Sequence, residues 1–221
     1  MSTGSVLTAI GLVVFGYLLG SVSPSVFLGR RLRGVDVRRH GSGNAGTTNA
    51  FRVLGSRVGT VVLIADIAKG VIPVLLARYL SGPLVVVLVA FACVGGHNYS
   101  LFLKGKGGKG VATGAGAAIA MMPLPMAVIL GLYVVLLLST RVVSIASITC
   151  TILLPVMAVL FRQPLEYIIV SCLMALVVLW AHRGNMVRLW RRQERRVSFP
   201  WSRTGDGHAG GSRKGTGRSA L

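Results

Sequence analysis

An all-α membrane bundle of about seven helices, with polar loops gathered on one side to form a site, is the fold class this sequence predicts. Three observations predict it. The chain is 53% hydrophobic and only 13% charged, with a mean hydropathy of +0.72. Its apolar residues fall into runs too long for a soluble core. Its formal charge of +19 is concentrated between and after those runs: seven arginines from Arg30 to Arg57, three lysines from Lys104 to Lys109, and ten basic residues from Arg183 to Arg218. Basic clusters beside apolar spans are the signature of cytoplasmic segments.

In chain order, Ser5–Leu28 holds no charge over 24 residues, enough helix to cross a hydrocarbon core of about 30 Å at about 1.5 Å per residue. Met1–Ser5 lacks the basic region of a cleaved leader, so this run reads as a retained span. Further apolar blocks follow at Val58–Leu80, Leu84–Leu103, Val111–Leu138, Val142–Phe161 and Leu165–Ala181. Parity sets the count. If the three basic clusters share the cytoplasm, an even number of crossings separates each from the next, yet three blocks lie between Lys109 and Arg183. Val111–Leu138 is the block that crosses twice, because Pro123 and Pro125 disfavour a continuous helix. Seven spans result, with the N-terminus outside; six is the count if that block crosses once. Glycines and alanines from Gly107 to Ala118 form a small-residue face suited to close helix contact. Residues 1–196 thus read as one membrane domain. Residues 197–221, rich in Gly, Ser and Arg without apolar periodicity, read as a disordered basic tail.

Three polar islands interrupt the apolar chain: GSVSPSVFLGR (Gly20–Arg30), RRHGSGNAGTTNAFR (Arg38–Arg52) and GHNYSLFLKGKGGKG (Gly96–Gly110). Glycine lets backbone N–H groups approach an anion, and arginine and lysine add full charges. Two such loops facing one compartment point to phosphate. The plainer alternatives are a tight turn at Gly41–Asn44 and topology signals at Lys104, Lys106 and Lys109. No Walker sequence, nucleophile elbow or metalloprotease motif is present. Cys93, Cys150 and Cys172 show neither disulfide nor metal spacing. Without a recognition module or stacking platform, the positive charge does not imply nucleic acid.

Inside the apolar blocks, Asp66 and Lys69 lie three apart on a predicted helix, as an internal ion pair or as ligand contacts. His97 and His182 sit at helix ends, as packing groups or as bases. Ser144 and Ser147 share a face, which helix-helix hydrogen bonding explains.

GSGNAGTTNAFRVLG, GHNYSLFLKGKGGKGVATG and GSVSPSVFLGR together resemble the three motifs of the bacterial membrane glycerol-3-phosphate acyltransferases that use acyl phosphate, the PlsY family. DIAKG, RVVSIAS and HRGNMVRL extend the likeness from about Gly16 to Glu194. The resemblance implies seven spans in the cell membrane and a cytoplasmic site. It implies acyl transfer from acyl phosphate to the 1-hydroxyl of glycerol 3-phosphate, with no cofactor or metal, beginning phospholipid synthesis. An upstream enzyme that forms acyl phosphate is an implied partner. By this resemblance Ser21, Asn44 and His97 are catalytic. Arg30, Gly41, Ser42, Gly43, Thr48, Asn49, Arg52, Lys104, Lys106 and Lys109 bind phosphate, and Ser147, His182 and Asn185 contact glycerol 3-phosphate. Three positions depart from the family's usual pattern: Pro24 is displaced by one residue, Ser100 stands where proline is usual, and Gly105 where phenylalanine is usual. The rival readings are a transporter for a phosphorylated solute and a membrane adaptor working through its basic tail.

Overall fold

The computed structural model describes residues 3–197 and contains no strand among them. The tail expected from residue 197 onward lies, beyond Val197, outside the described residues. The first apolar run forms α1 (Thr3–Ser21), and α2 (Pro24–Arg33) follows after a break at Val22–Ser23. Here the structure differs from an unbroken Ser5–Leu28. Pro24 cannot donate to the helix before it and instead opens a new one. After a single turn at Val37–Arg39 come α3 (Thr47–Leu54), α4 (Ser56–Leu80) and α5 (Pro83–Asn98). A second short turn, Leu101–Leu103, leads through the lysine loop to α6 (Val111–Met121), α7 (Pro123–Thr140), α8 (Val143–Leu160), α9 (Leu165–Ala181) and α10 (Arg183–Trp190).

The block that parity required to cross twice is indeed two helices, parted at Met122 and restarted by Pro123. Among the described residues five helical stretches are long and apolar enough to span a membrane, and α9 with α10 makes a sixth candidate, bent by 59°. The seventh apolar helix, α6, has 11 residues and reaches only about 16 Å. It is buried on most sides, so its neighbours rather than lipid cover its ends.

Small residues set the closest contacts. A Cβ on Gly116 would strike the carbonyl of Ile67, and one on Gly70 that of Thr113, so α4 and α6 touch backbone to backbone. Gly20 and Gly96 do the same between α1 and α5. The main core runs through Val74, Val86, Val89, Cys93, Ala117, Met122 and Met174. Ile64, Leu84, Leu124, Val135 and Leu176 remain exposed on the outside, as helices bounded by lipid require. A smaller cluster of Val26, Val37, Ala50, Leu54, Val62 and Leu103 underlies the polar loops.

Candidate active site

The second island is folded around one side chain. Asn49 is 1% exposed; its Nδ2 donates to the carbonyls of Val37 (2.8 Å), His40 (3.1 Å) and Asn44 (2.9 Å), and its Oδ1 accepts from the Ser42 N–H (2.8 Å). Gly41 and Gly43 adopt φ of 62° and 73°, a region in which a side chain is strained. Asn44 closes its own turn by accepting from the Gly46 N–H at 2.8 Å, and Ser25 of α2 donates to the Ala45 carbonyl. The N–H groups of Ser42, Gly43 and Gly46 are therefore engaged within the loop. Asn49, expected to bind phosphate, has its amide engaged by the loop's own backbone. Thr48 is half-buried in the first turn of α3. Replacing Asn49 by alanine is expected to loosen the loop by about 2 kcal/mol, from several lost hydrogen bonds. Faster hydrogen exchange across residues 41–46 is the readout, and unchanged exchange would contradict the arrangement.

The loop faces a cleft of about 470 Å³ lined by Arg30, Asp36, Arg38, Arg39, Gly43, Lys106 and Gly107. Two glycine-bearing loops, far apart in the chain, thus meet in one basic recess. Asp36 accepts from Arg30 (2.8 Å) and Arg38 (2.7 Å). The Arg38 hydrogen bond holds its carboxyl far below the usual carboxylate range, with Arg30 adding to the effect. Lys104 is exposed, ending the Leu101–Leu103 turn at φ 53°; the cleft residues do not include it.

A second polar cluster forms where the lysine loop meets α8 and α10. Lys109 donates to Asn185 Oδ1, and Asn185 Nδ2 donates to Glu194 Oε1 at 2.6 Å. Ser144 (3.1 Å) and Arg188 (2.8 Å) also donate to Glu194. Arg52, in the last turn of α3, lies within electrostatic reach of Glu194, Arg188 and Arg195. Burial, with like charges on Arg188 and Arg52, pushes Lys109 down to about 8 despite the opposing charge of Glu194. Burial disfavours the charge of Glu194, but hydrogen bonds from Arg188, Asn185 and Ser144 together keep its carboxyl below its ordinary value. His182, 3% exposed, gives its Nδ1 proton to the Val178 carbonyl at 2.8 Å, which leaves Nε2 as an acceptor. Ser147, 2% exposed, lies one turn along α8 from Ser144, against Tyr133. Glu194, Ser144 and Arg188 were not among the expected ligands; a lone carboxylate amid the arginines from Arg183 to Arg196 was the available signal.

Between the two cationic groups in the chain lie Gly107 and Gly108, whose N–H groups donate to the carbonyls of Asn98 (3.1 Å) and His97 (2.9 Å). A Cβ on Gly108 would collide with His97 Nε2, so the loop lies directly on the imidazole. His97 is 6% exposed, with Nδ1 turned to Thr113 Oγ1 at 3.1 Å and Asp66 Oδ1 at 3.6 Å. Ser21, wholly buried at the end of α1, accepts from the Leu101 N–H at 3.4 Å, and its carbonyl accepts from Ser100 Oγ at 2.6 Å. The departure from proline at Ser100 thus adds a tie between the first and third islands.

Residues 10–192 match the family described as Glycerol-3-phosphate acyltransferase. The chain is 42% identical over 192 residues to the Glycerol-3-phosphate acyltransferase of Shouchella clausii, covering 83% of this chain and 93% of that protein. It is 44% identical over 187 residues to that of Myxococcus xanthus, covering 84% and 97%. The crystal structure of PlsY (YgiH), an integral membrane glycerol 3-phosphate acyltransferase in its glycerol 3-phosphate form, superposes with a TM-score of 0.84 at 36% identity, covering 86% of this chain and 96% of that one. Its lysophosphatidic acid form gives 0.81. The family match and the superposition agree on the class, an integral membrane acyltransferase. The chain belongs to the glycerol-3-phosphate acyltransferase family.

Proposed function

We propose that this chain transfers a fatty acyl group from an acyl phosphate to the 1-hydroxyl of glycerol 3-phosphate, giving lysophosphatidate and inorganic phosphate. The reaction takes place at the cytoplasmic face of a bacterial cell membrane and opens phospholipid synthesis. A single observation carries the reading: the lysine loop sends Lys106 to the basic cleft and Lys109 to the separate polar cluster around Asn185, which supports two positions for phosphorylated reactants. Lys109, Arg52, His182, Asn185 and Ser147 take glycerol 3-phosphate, and Arg30 and Lys106 take the donor phosphate. Gly41, Ser42, Gly43, Asn44, Thr48 and Asn49 shape the recess, and Ser21 ties the first island to the third.

In the transfer, the hydroxyl oxygen attacks the carbonyl carbon of the mixed anhydride, a new C–O ester bond forms, and the C–O bond to phosphate breaks. The hydroxyl proton leaves with the departing phosphate. The burial of His97 beneath Gly108 favours this route over direct abstraction by the imidazole, whose part is to hold the loop. Phosphate is a good leaving group, so positioning and charge neutralisation suffice without a covalent enzyme intermediate.

Purified protein incubated with palmitoyl phosphate and glycerol 3-phosphate is expected to form lysophosphatidate, and palmitoyl-CoA is expected to be inert. Turnover with palmitoyl-CoA but none with palmitoyl phosphate would overturn the donor assignment.

A further inference from the structure

We propose that Asp66 and Lys69 are positioning residues of the acyltransfer site: one buried ion pair that fixes all three polar islands against each other. The proposal rests on the acyltransferase reading above. The two side chains lie within α4, 1% and 5% exposed, with Nζ 2.9 Å from Oδ1. Burying such a pair is seldom more stabilising than packing two apolar side chains of similar volume. What the pair does must be sought in its other contacts, and each goes to a different island. Lys69 Nζ donates to the Val22 carbonyl at 2.7 Å, a group released from helix bonding where α1 breaks before α2. Thr47 Oγ1, at the start of α3 and the end of the glycine loop, donates to Asp66 Oδ2 at 2.8 Å. His97 Nδ1 stands 3.6 Å from Asp66 Oδ1 and also meets Thr113 Oγ1 in the first turn of α6 at 3.1 Å.

A carboxylate has two oxygens, and here they are divided: Oδ2 takes the loop through Thr47, while Oδ1 takes Lys69 and faces the imidazole on which Gly108 rests. The helix break, the phosphate loop and the lysine loop thus share one origin of coordinates. Shifting any one of them moves Arg30, Arg52 or Lys109 relative to the other two. An apolar pair of equal volume would fill the space without holding that registration.

Two sets of variants test this. The Asp66→Leu/Lys69→Met double variant is expected to keep a thermal unfolding midpoint in detergent close to wild type, while turnover with palmitoyl phosphate falls about a hundredfold through misplacement of the reactants. Thr47→Val breaks a single link without unpairing the charges. It is expected to raise the rate of trypsin cleavage after Arg38 and Arg39 about tenfold, and Thr47→Ser is expected to restore the wild-type rate. A folded double variant with wild-type turnover overturns the proposal. Equal cleavage of wild type, Thr47→Val and Thr47→Ser also overturns it, and this arm decides alone if the double variant does not fold. The cleavage measurement needs no substrate, so inactive wild-type protein would count against the donor assignment and not against the positioning role.

Discussion

Gly108→Ala is expected to lower turnover about a hundredfold, the loss that an ångström-scale displacement of reacting groups produces. The added methyl group would collide with Nε2 of His97 and press on the neighbouring ring carbons. The imidazole cannot withdraw, because Thr113 and Asp66 stand behind its Nδ1. The loop must therefore lift, and Lys106 and Lys109 move with it. Gly95→Ala provides the control: a methyl there meets nothing within 4 Å, and its activity is expected to match wild type. Because the cause is a collision, trimming the obstacle relieves it. The His97→Ala/Gly108→Ala double variant is expected to exceed Gly108→Ala in rate. Wild-type activity in Gly108→Ala, or a double variant slower than the single, would show that the loop does not rest on this ring.

The second large effect is on pH dependence. Burial first, and then the charges of Arg188 and Arg52, lower Lys109 to about 8. The Lys109 ammonium, proposed to receive the acceptor's phosphate, is therefore present below that pH and is lost above it. The kcat/KM for glycerol 3-phosphate reports the free enzyme, so it is expected to fall about tenfold per pH unit above the break. Lys109→Arg keeps a cation at every accessible pH, and its profile is expected to stay level through pH 9.5 or so at a lower absolute rate. A wild-type profile without an alkaline limb would remove Lys109 from the acceptor site.

Much of this arrangement was legible in the chain. Hydropathy and the basic clusters marked the helices, and parity with Pro123 and Pro125 located the division between α6 and α7. The Asp66–Lys69 pair was readable because a spacing of three on a helix is a local geometric fact. Its contacts with Val22, Thr47 and His97 were not, since each depends on tertiary packing. Glu194 illustrates the same limit: its partner Ser144 is 50 residues away, and nothing local distinguishes a buried carboxylate from a solvated one. Residue type also leaves role undecided. Asn49 looked like an anion ligand, yet its amide is occupied by four backbone groups, and the loop N–H groups expected to cradle phosphate are partly consumed in holding the turn.

The shortness of α6 bears on how the acyl donor of the proposed reaction is delivered. Eleven residues traverse about half of the hydrocarbon thickness, so α6 must end within the depth that its longer neighbours cross. In the proposed reaction, a site at that buried end lets a long-chain donor present its reactive head without being lifted out of its leaflet, while the water-soluble acceptor makes the descent. Chain length should then govern how much donor the bilayer stores, and leave the rate per encounter nearly untouched.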